Sequence, residues 1–364
     1  MSKAPDESVS SVSAADGAPG GRGTDARTSL PKTGGHGIHW GDNMDIIISH
    51  RSAMRFWRGF SGRLSDLGAV RRTTAMGKPV EMTPALREEL SSRGFFPSEA
   101  HPIDLLFTSM AVRSRAGWAN SHSTARPLPS NAFLRLTPHV LVTSPEVTFA
   151  QIAETYPFGQ LVMAGCELCG TYRLMNPAGA PLPRPEERDA LTSAARLMQT
   201  VRAMGFSATS AAARGARYVL DNAASPMEAK IALLLTLSTR LGGYGRPRPA
   251  LNVSVNLSSA ARTIYPHVAC RPDLFWEDFR LDVEYDGEES HDGEAAHAKD
   301  VARAAALATD GINDITLTKQ QVYSEDAFDA MARLVAQALG SPLRIRCADF
   351  PVKRAALRRE LGLR

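Results

Sequence analysis

Residues 271–291, RPDLFWEDFRLDVEYDGEESH, decide how this chain reads. From Phe279 to Asp286 the stretch alternates strictly: Phe279, Leu281, Val283 and Tyr285 are apolar or aromatic, while Arg280, Asp282, Glu284 and Asp286 are charged. A period of two is the pattern of a half-buried strand, so Asp282, Glu284 and Asp286 share one face. Arg271 to Trp276 reads as a second short strand, with Glu277-Asp278 as the turn of a hairpin. That register sets Asp273 opposite Asp282. Opposite residues of an antiparallel pair project to the same face, which gathers Asp273, Glu284 and Asp286 into one carboxylate cluster. Packed like charges repel, and a hard cation with oxygen ligands is a common way to hold them together. The plainer reading of the same alternation is a solvent-facing strand with hydrated charges.

The flanks add order to this hairpin. Beyond Asp286 come Gly287, a turn residue, then His291, a helical stretch from Glu294 to Thr309, Gly311 as its stop, and a strand from Ile312 to Leu317. Upstream, SPMEAKIALLLTLSTRLGG (225–243) offers Ser225 as N-cap and Pro226 at the first helical position of an apolar helix that carries Glu228 in its first turn. The sequence of elements is helix with Glu, hairpin with Asp and Glu, helix, strand.

Glu228, Asp273, Glu284, Asp286, Gly287, His291, Asp300, Arg303 and Gly311 fall along that order in a pattern that resembles the Vsr-like endonuclease domains of the PD-(D/E)xK superfamily, over roughly residues 222–345. The resemblance implies a restriction-endonuclease-like α/β domain, a central mixed sheet flanked by helices, that hydrolyses DNA phosphodiesters with a metal. It implies Asp273, Glu284 and Asp286 as ligands of Mg²⁺ or Mn²⁺, with Glu228 completing the set. Asp286 or His291 would serve as general base or orienting group, and Asp300 and Arg303 would act behind His291. Asp300 and Arg303 also lie three apart on one helix face, where a plain intrahelical ion pair would place them. The chain departs from the superfamily at Asp286, which stands where the motif lysine belongs. An acid there can still bind metal, and it can also mark a domain that has lost turnover. Lys230 and Lys299 are the candidates to take the lysine's part.

SHRSAMRFW (49–57), VTSPEVTFAQIAETY (142–156) and GCELCGTY (165–172) resemble the AbiEi-type antitoxins of actinobacteria. That resemblance implies a regulatory or partner-binding N-terminal region, a toxin partner, and an alternative in which the protein is a catalytically inactive DNA-binding regulator. Within SHRSAMRFWRGF, His50, Arg51, Arg55 and Arg58 surround Phe56 and Trp57, a mixture able to touch phosphate and stack a base. An amphipathic helix with a wet basic face explains it equally.

At 364 residues the chain has room for two or three domains, and 43% hydrophobic content suffices for packed cores. The expected division is a disordered tail over 1–43, a smaller α+β region over 44–180, a helical connector over 181–221, the nuclease-like domain over 222–345, and a basic helix over 346–364. A net charge of +4 permits a nucleic-acid partner without demanding one. Arg246, Arg248 and Arg271 are the expected phosphate contacts beside the C-terminal helix, which carries Lys353, Arg354, Arg358 and Arg359. The four cysteines, Cys166, Cys169, Cys270 and Cys347, are too few for a disulfide framework and fit a reducing cytoplasm. Cys166 and Cys169 form a lone C-x-x-C on an expected helix, which reads as core. No apolar run reaches the ~20 residues that span a bilayer.

Overall fold

Two sheets, each built on one side of a set of short helices, organise the chain. They are seen in a computed structural model that describes residues 45–71, 74–177, 179–287 and 294–363, the side chains of 294–297 aside. The expected tail over 1–43 and His291 lie outside the described residues. Residues 43–364 form one compact unit. Among the described residues no helix is long and apolar enough to cross a membrane.

The first sheet uses β1 (Ile46–Ile48), β2 (Gly68–Val70), β3 (Ile103–Phe107), β4 (Ala119–Ser123), β5 (Phe133–Arg135) and β6 (Val140–Thr143), in the order β2-β5-β6-β1-β3-β4. Pairs β1–β6 and β3–β4 are parallel; β1–β3, β2–β5 and β5–β6 are antiparallel. The central strands read Ile-Ile-Ile and Val-Leu-Val because both of their faces are covered, and each of those residues is buried. From the C-terminal ends of parallel β1 and β6 spring α1 (His50–Gly59) and α3 (Pro145–Ile152), which pack together. Helices α2 (Pro84–Ser91) and α4 (Phe158–Cys169) complete this half. Cys166 and Cys169 are buried in it, and burial pushes the Cys166 thiol up to about 12, so it is a small apolar side chain.

Residues 113–131 hold the edge strand β4, whose alternating Asn120 and His122 are fastened to Asp104 of β3. Across the boundary expected near 180 runs the hairpin of β7 (Tyr172–Met175) and β8 (Pro181–Glu187). In a two-stranded ribbon the outer edge has no partner, so prolines at 181, 183 and 185 can sit there without losing ladder hydrogen bonds. The helical connector expected over 181–221 therefore opens on a strand, and its first helix is α5 (Ala194–Ala203), capped by Ser193 Oγ accepting from the Arg196 amide; α6 (Ala211–Ala216) follows.

The second sheet follows α7 (Pro226–Thr236) and is built from β9 (Ala250–Leu251), β12 (Leu274–Trp276), β13 (Leu281–Asp286) and β14 (Asn313–Thr318), in the order β14-β13-β12-β9. A small ribbon of β10 (Val255–Asn256) and β11 (Ala269–Cys270) interrupts the sequence between β9 and β12, with α8 (Ser259–Ile264) in its loop. Strands β9, β12 and β13 run antiparallel in turn, and β14 returns parallel to β13 after α9 (Glu294–Thr309). A parallel return needs such a crossover, which fixes α9 over one face of the sheet. Tyr265, Phe275, Ala306, Leu307 and Ile312 bury against one another beneath it. Helices α10 (Lys319–Tyr323), α11 (Glu325–Ala338) and α12 (Phe350–Glu360) close the chain.

The hairpin register differs from expectation by two residues. Leu274 pairs with Val283 and Phe275 with Asp282, so continuing the ladder sets Asp273 beside Glu284. The turn is longer than Glu277-Asp278: a 3-10 turn over Glu277–Phe279 ends in Arg280, whose φ of 47° is left-handed. Phe279 thus leaves the strand and is exposed, and β13 starts at Leu281. The slip is by an even number, so the faces are preserved.

Candidate functional site

The open end of β12 builds the site. Proline at 272 has no amide to donate, and β12 begins at Leu274. The Tyr285 amide is satisfied by the Asp273 side chain, Oδ2 accepting at 2.9 Å, while the Asp273 amide donates to Glu284 Oε1 at 3.3 Å. Two carboxylates are therefore held side by side across the hairpin by backbone geometry. Burial, then the charges of Glu284 and Glu228, push the Asp273 carboxyl up to about 8.

Glu228 arrives from the first turn of α7. The Ser225 hydroxyl accepts from the Glu228 amide, and Glu228 Oε2 reaches back to accept from the Ala224 amide at 2.8 Å and from Asn252 Nδ2 at 2.6 Å. It is a buried capping group as well as a neighbour of Asp273. Asn252 adopts a left-handed φ of 51°, a conformation asparagine tolerates better than most.

Arg303 closes the cluster from α9. Its Nη2 donates to Glu284 Oε1 and lies 3.5 Å from Asp282 Oδ2. The guanidinium reaches over to β13, so it does more than pair within its own helix; Asp300, one turn earlier, is exposed. Beneath it Asp282 is fully buried, and neither of its oxygens has a hydrogen-bond partner among the described residues. Burial, then Glu284, pushes Asp282 up to about 9, which favours its neutral form, while Arg303 opposes the shift. Asp314 faces it from β14 in the parallel register and is also raised, by burial and then by Glu284. The solvent-facing reading of this strand thus fails at Asp282, because α9 covers that face.

Asp286 sits two residues beyond Glu284, exposed at the end of β13. Lys230 is half-buried on α7 and its ammonium is lowered by burial; Lys299 is exposed on α9. The cation that touches Glu284 is Arg303. Sequence reasoning did not foresee buried Asp282 and half-buried Asp314. Their signal lay in the pairing of two runs, LDVEYD and NDITLT, that a crossover helix makes neighbours.

The expected phosphate contacts are mostly committed elsewhere. Arg246 donates to the carbonyls of Tyr244 and Ser341, and Arg248 to that of Val219. Arg271 is exposed and donates to the Asn252 carbonyl at 3.2 Å. On α12, Arg358 is buried and donates to the carbonyls of Val322 and Tyr323, while Arg354 pairs with Asp329 and Glu325. That helix is fastened to α10 and α11 through the residues expected to be its basic face. Near α1, Trp57 is buried with Nε1 donating to the Thr143 carbonyl, and Arg58 pairs with Glu167.

For a divalent cation the donor chemistry is suitable: Asp273, Glu284 and Glu228 are close enough for mutual repulsion to raise Asp273. Asp273 Oδ1 and Glu228 Oε1 carry no hydrogen bond among the described residues. Against this, no group of three side chains is already arranged as a coordination shell among the described residues, and Arg303 holds one oxygen of Glu284. The sequence matches no family model, and no similar curated protein or solved structure was found.

Proposed function

We propose that the second sheet with α7 and α9 is a restriction-endonuclease-like domain that hydrolyses DNA phosphodiesters using Mg²⁺ or Mn²⁺. The observation that carries this reading is the fixed pair of Asp273 and Glu284 across the hairpin, with Glu228 raising Asp273 from a third element. The order of an acidic helix, three antiparallel strands, a crossover helix and a parallel strand supports it.

Asp273 and Glu284 would hold the metal, with Glu228 beside them and water filling the remainder of an oxygen shell. When bound, the ion would polarise a phosphoryl oxygen and ease deprotonation of water. Arg303 fixes the Glu284 rotamer and supplies the positive charge that the missing motif lysine would have brought. A raised Asp273 means that metal binding displaces a proton, so affinity should climb with pH through about 8.

Asp286 in the lysine position and the grip of Arg303 on Glu284 favour the second reading, a DNA-binding regulator with this scaffold and no turnover. One experiment separates them. Purified protein is incubated with duplex, nicked, mismatched and single-stranded DNA in Mg²⁺ or Mn²⁺. Cleavage is expected to vanish in Asp273→Ala and in Glu284→Ala, because removing a metal ligand removes the reacting centre. DNA binding that proceeds with no cleavage above the Glu284→Ala background would move the protein to the regulator class.

A further inference from the structure

Two cavities flank α1 and meet at Phe96. The first, about 540 Å³, is walled by Phe56, Phe60 and Phe96 and has Asp66, Ser91 and Ser92 on its lining. The second, about 380 Å³, runs between α1 and β3 and is lined by Arg51, Arg55, His101, Asp104 and the same Phe96. An aromatic chamber with a few polar groups therefore lies across Phe96 from a cationic one.

The charge balance of the second chamber is unusual. Arg51 and Arg55 stand four apart, on one face of α1, where like charges repel. Arg58 pairs with Glu167 and Arg135 with Asp45, while Arg93 on the lining of the first chamber has no ion pair among the described residues. Among the described residues neither Arg51 nor Arg55 is held by an ion pair, and Arg51 only approaches the Tyr156 ring, at 5.8 Å. The carboxylate below them does not compete. Asp104 Oδ2 accepts from the Ser52 amide at 3.0 Å and hydroxyl at 3.1 Å, and Oδ1 accepts from Asn120 Nδ2 at 3.3 Å and bonds His122 Nε2 at 2.8 Å. Phe96, 60% exposed, presents a free ring surface between the chambers.

We propose that these neighbouring cavities together bind a nucleoside monophosphate, its ring lying over the shared Phe96. Its phosphate dianion bridges Arg51 and Arg55, where two guanidiniums offer charge-assisted hydrogen bonds without a competing partner. Its base lies against Phe96 in the aromatic chamber; the Ser91 and Ser92 hydroxyls donate to the Arg87 and Glu89 carbonyls and keep lone pairs to accept from ring or exocyclic N–H groups, while Asp66 is held by the Arg63 amide and the Ser65 hydroxyl. Each chamber lies in the size range of small-molecule sites. This ligand site is separate from the acidic cluster under α9, and it stands whether or not that cluster cleaves DNA.

Isothermal titration of the full chain with AMP, GMP, CMP, UMP, adenosine and inorganic phosphate tests it. At least one monophosphate should bind with unit stoichiometry, and more tightly than phosphate or adenosine alone. Arg51→Ala/Arg55→Ala should weaken it about tenfold or more, as loss of two charge-assisted contacts predicts. Phe96→Ala should weaken it without affecting phosphate, and Glu284→Ala should leave it unchanged. All three arginine and phenylalanine sites are exposed, so thermal melts matching wild type should accompany these results. Absence of binding by every monophosphate at millimolar concentration overturns the proposal, as does equal affinity in the double arginine variant or equal binding of phosphate alone.

Discussion

Each sheet buries an aspartate under a helix, and the two are treated in opposite ways. Asp104, under α1, receives hydrogen bonds from Ser52, Asn120 and His122; burial would raise its carboxyl, but the bonds from His122 and Ser52 outweigh burial and hold it below its ordinary value. Asp282, under α9, receives none among the described residues, and burial followed by the charge of Glu284 drives it up to about 9. Nearby, His50 shows the same depression of charge in the first half: burial, then His122, brings its imidazole down to about 3, although Asp104 opposes this. It stacks on His122 with ring centroids 3.7 Å apart, and takes a left-handed φ of 49° at the strand-to-helix turn. A satisfied buried carboxylate is scaffolding. An unsatisfied one, beside Glu284, Asp314 and an arginine, lowers stability where it sits, which is why the cluster is the candidate site.

The comparison is broken most easily at Asp104. Asp104→Ala strands the Ser52 amide, Asn120 and His122 in a half-buried site, and is expected to cost about 3 kcal/mol, as removing one partner of a buried charged network does. Urea unfolding measures it; a loss below about 1 kcal/mol would mean that solvent replaces these bonds. The pH dependence should then show two arms. Asp104 is lowered in the fold, so its contribution is present above the unfolded value near 4 and is lost as pH falls below it. Asp273 and Asp282 are raised, so their contribution is present below the unfolded value near 4 and is lost as pH rises through about 8 to 9. Melting temperatures from pH 3 to 10 should fall at both ends, and Asp104→Ala should flatten the acid arm alone. The smallest effect sharpens the contrast: Asp282→Asn, which mimics the neutral acid in both states, should change stability near pH 3 by less than about 1 kcal/mol and flatten only the alkaline arm, which leaves it the more stable protein at pH 7. A loss at pH 7 as large as that of Asp104→Ala would show that Asp282 is ionised and paired with Arg303 in the fold.

Much of this was legible in residues read one at a time. Ser225-Pro226 with Glu228 announces the start of α7, and the structure places the cap where those residue types require it. The alternation from Leu281 to Asp286 gives a strand, and Glu294 to Thr309 a helix. Because side chains alternate with a period of two, Asp273 and Glu284 fall on one face whether or not the turn is read correctly. The turn itself was misread, since a left-handed Arg280 has no residue-level signal comparable to glycine. Prolines in β8 hide the strand from a local reading, because propensity does not reveal whether a strand edge is free.

What the sequence determined by itself was periodicity, capping and the carboxylate types, all properties of a few consecutive residues. Only the tertiary structure decided which charge stays wet. The crossover of α9 lays Arg303 on Glu284 and buries Asp282 against Asp314, and α10 and α11 absorb the arginines of α12 that looked like a basic surface. Burial and pairing are made by segments distant in the chain, and the free energy of a charge is set by those neighbours rather than by its own residue type.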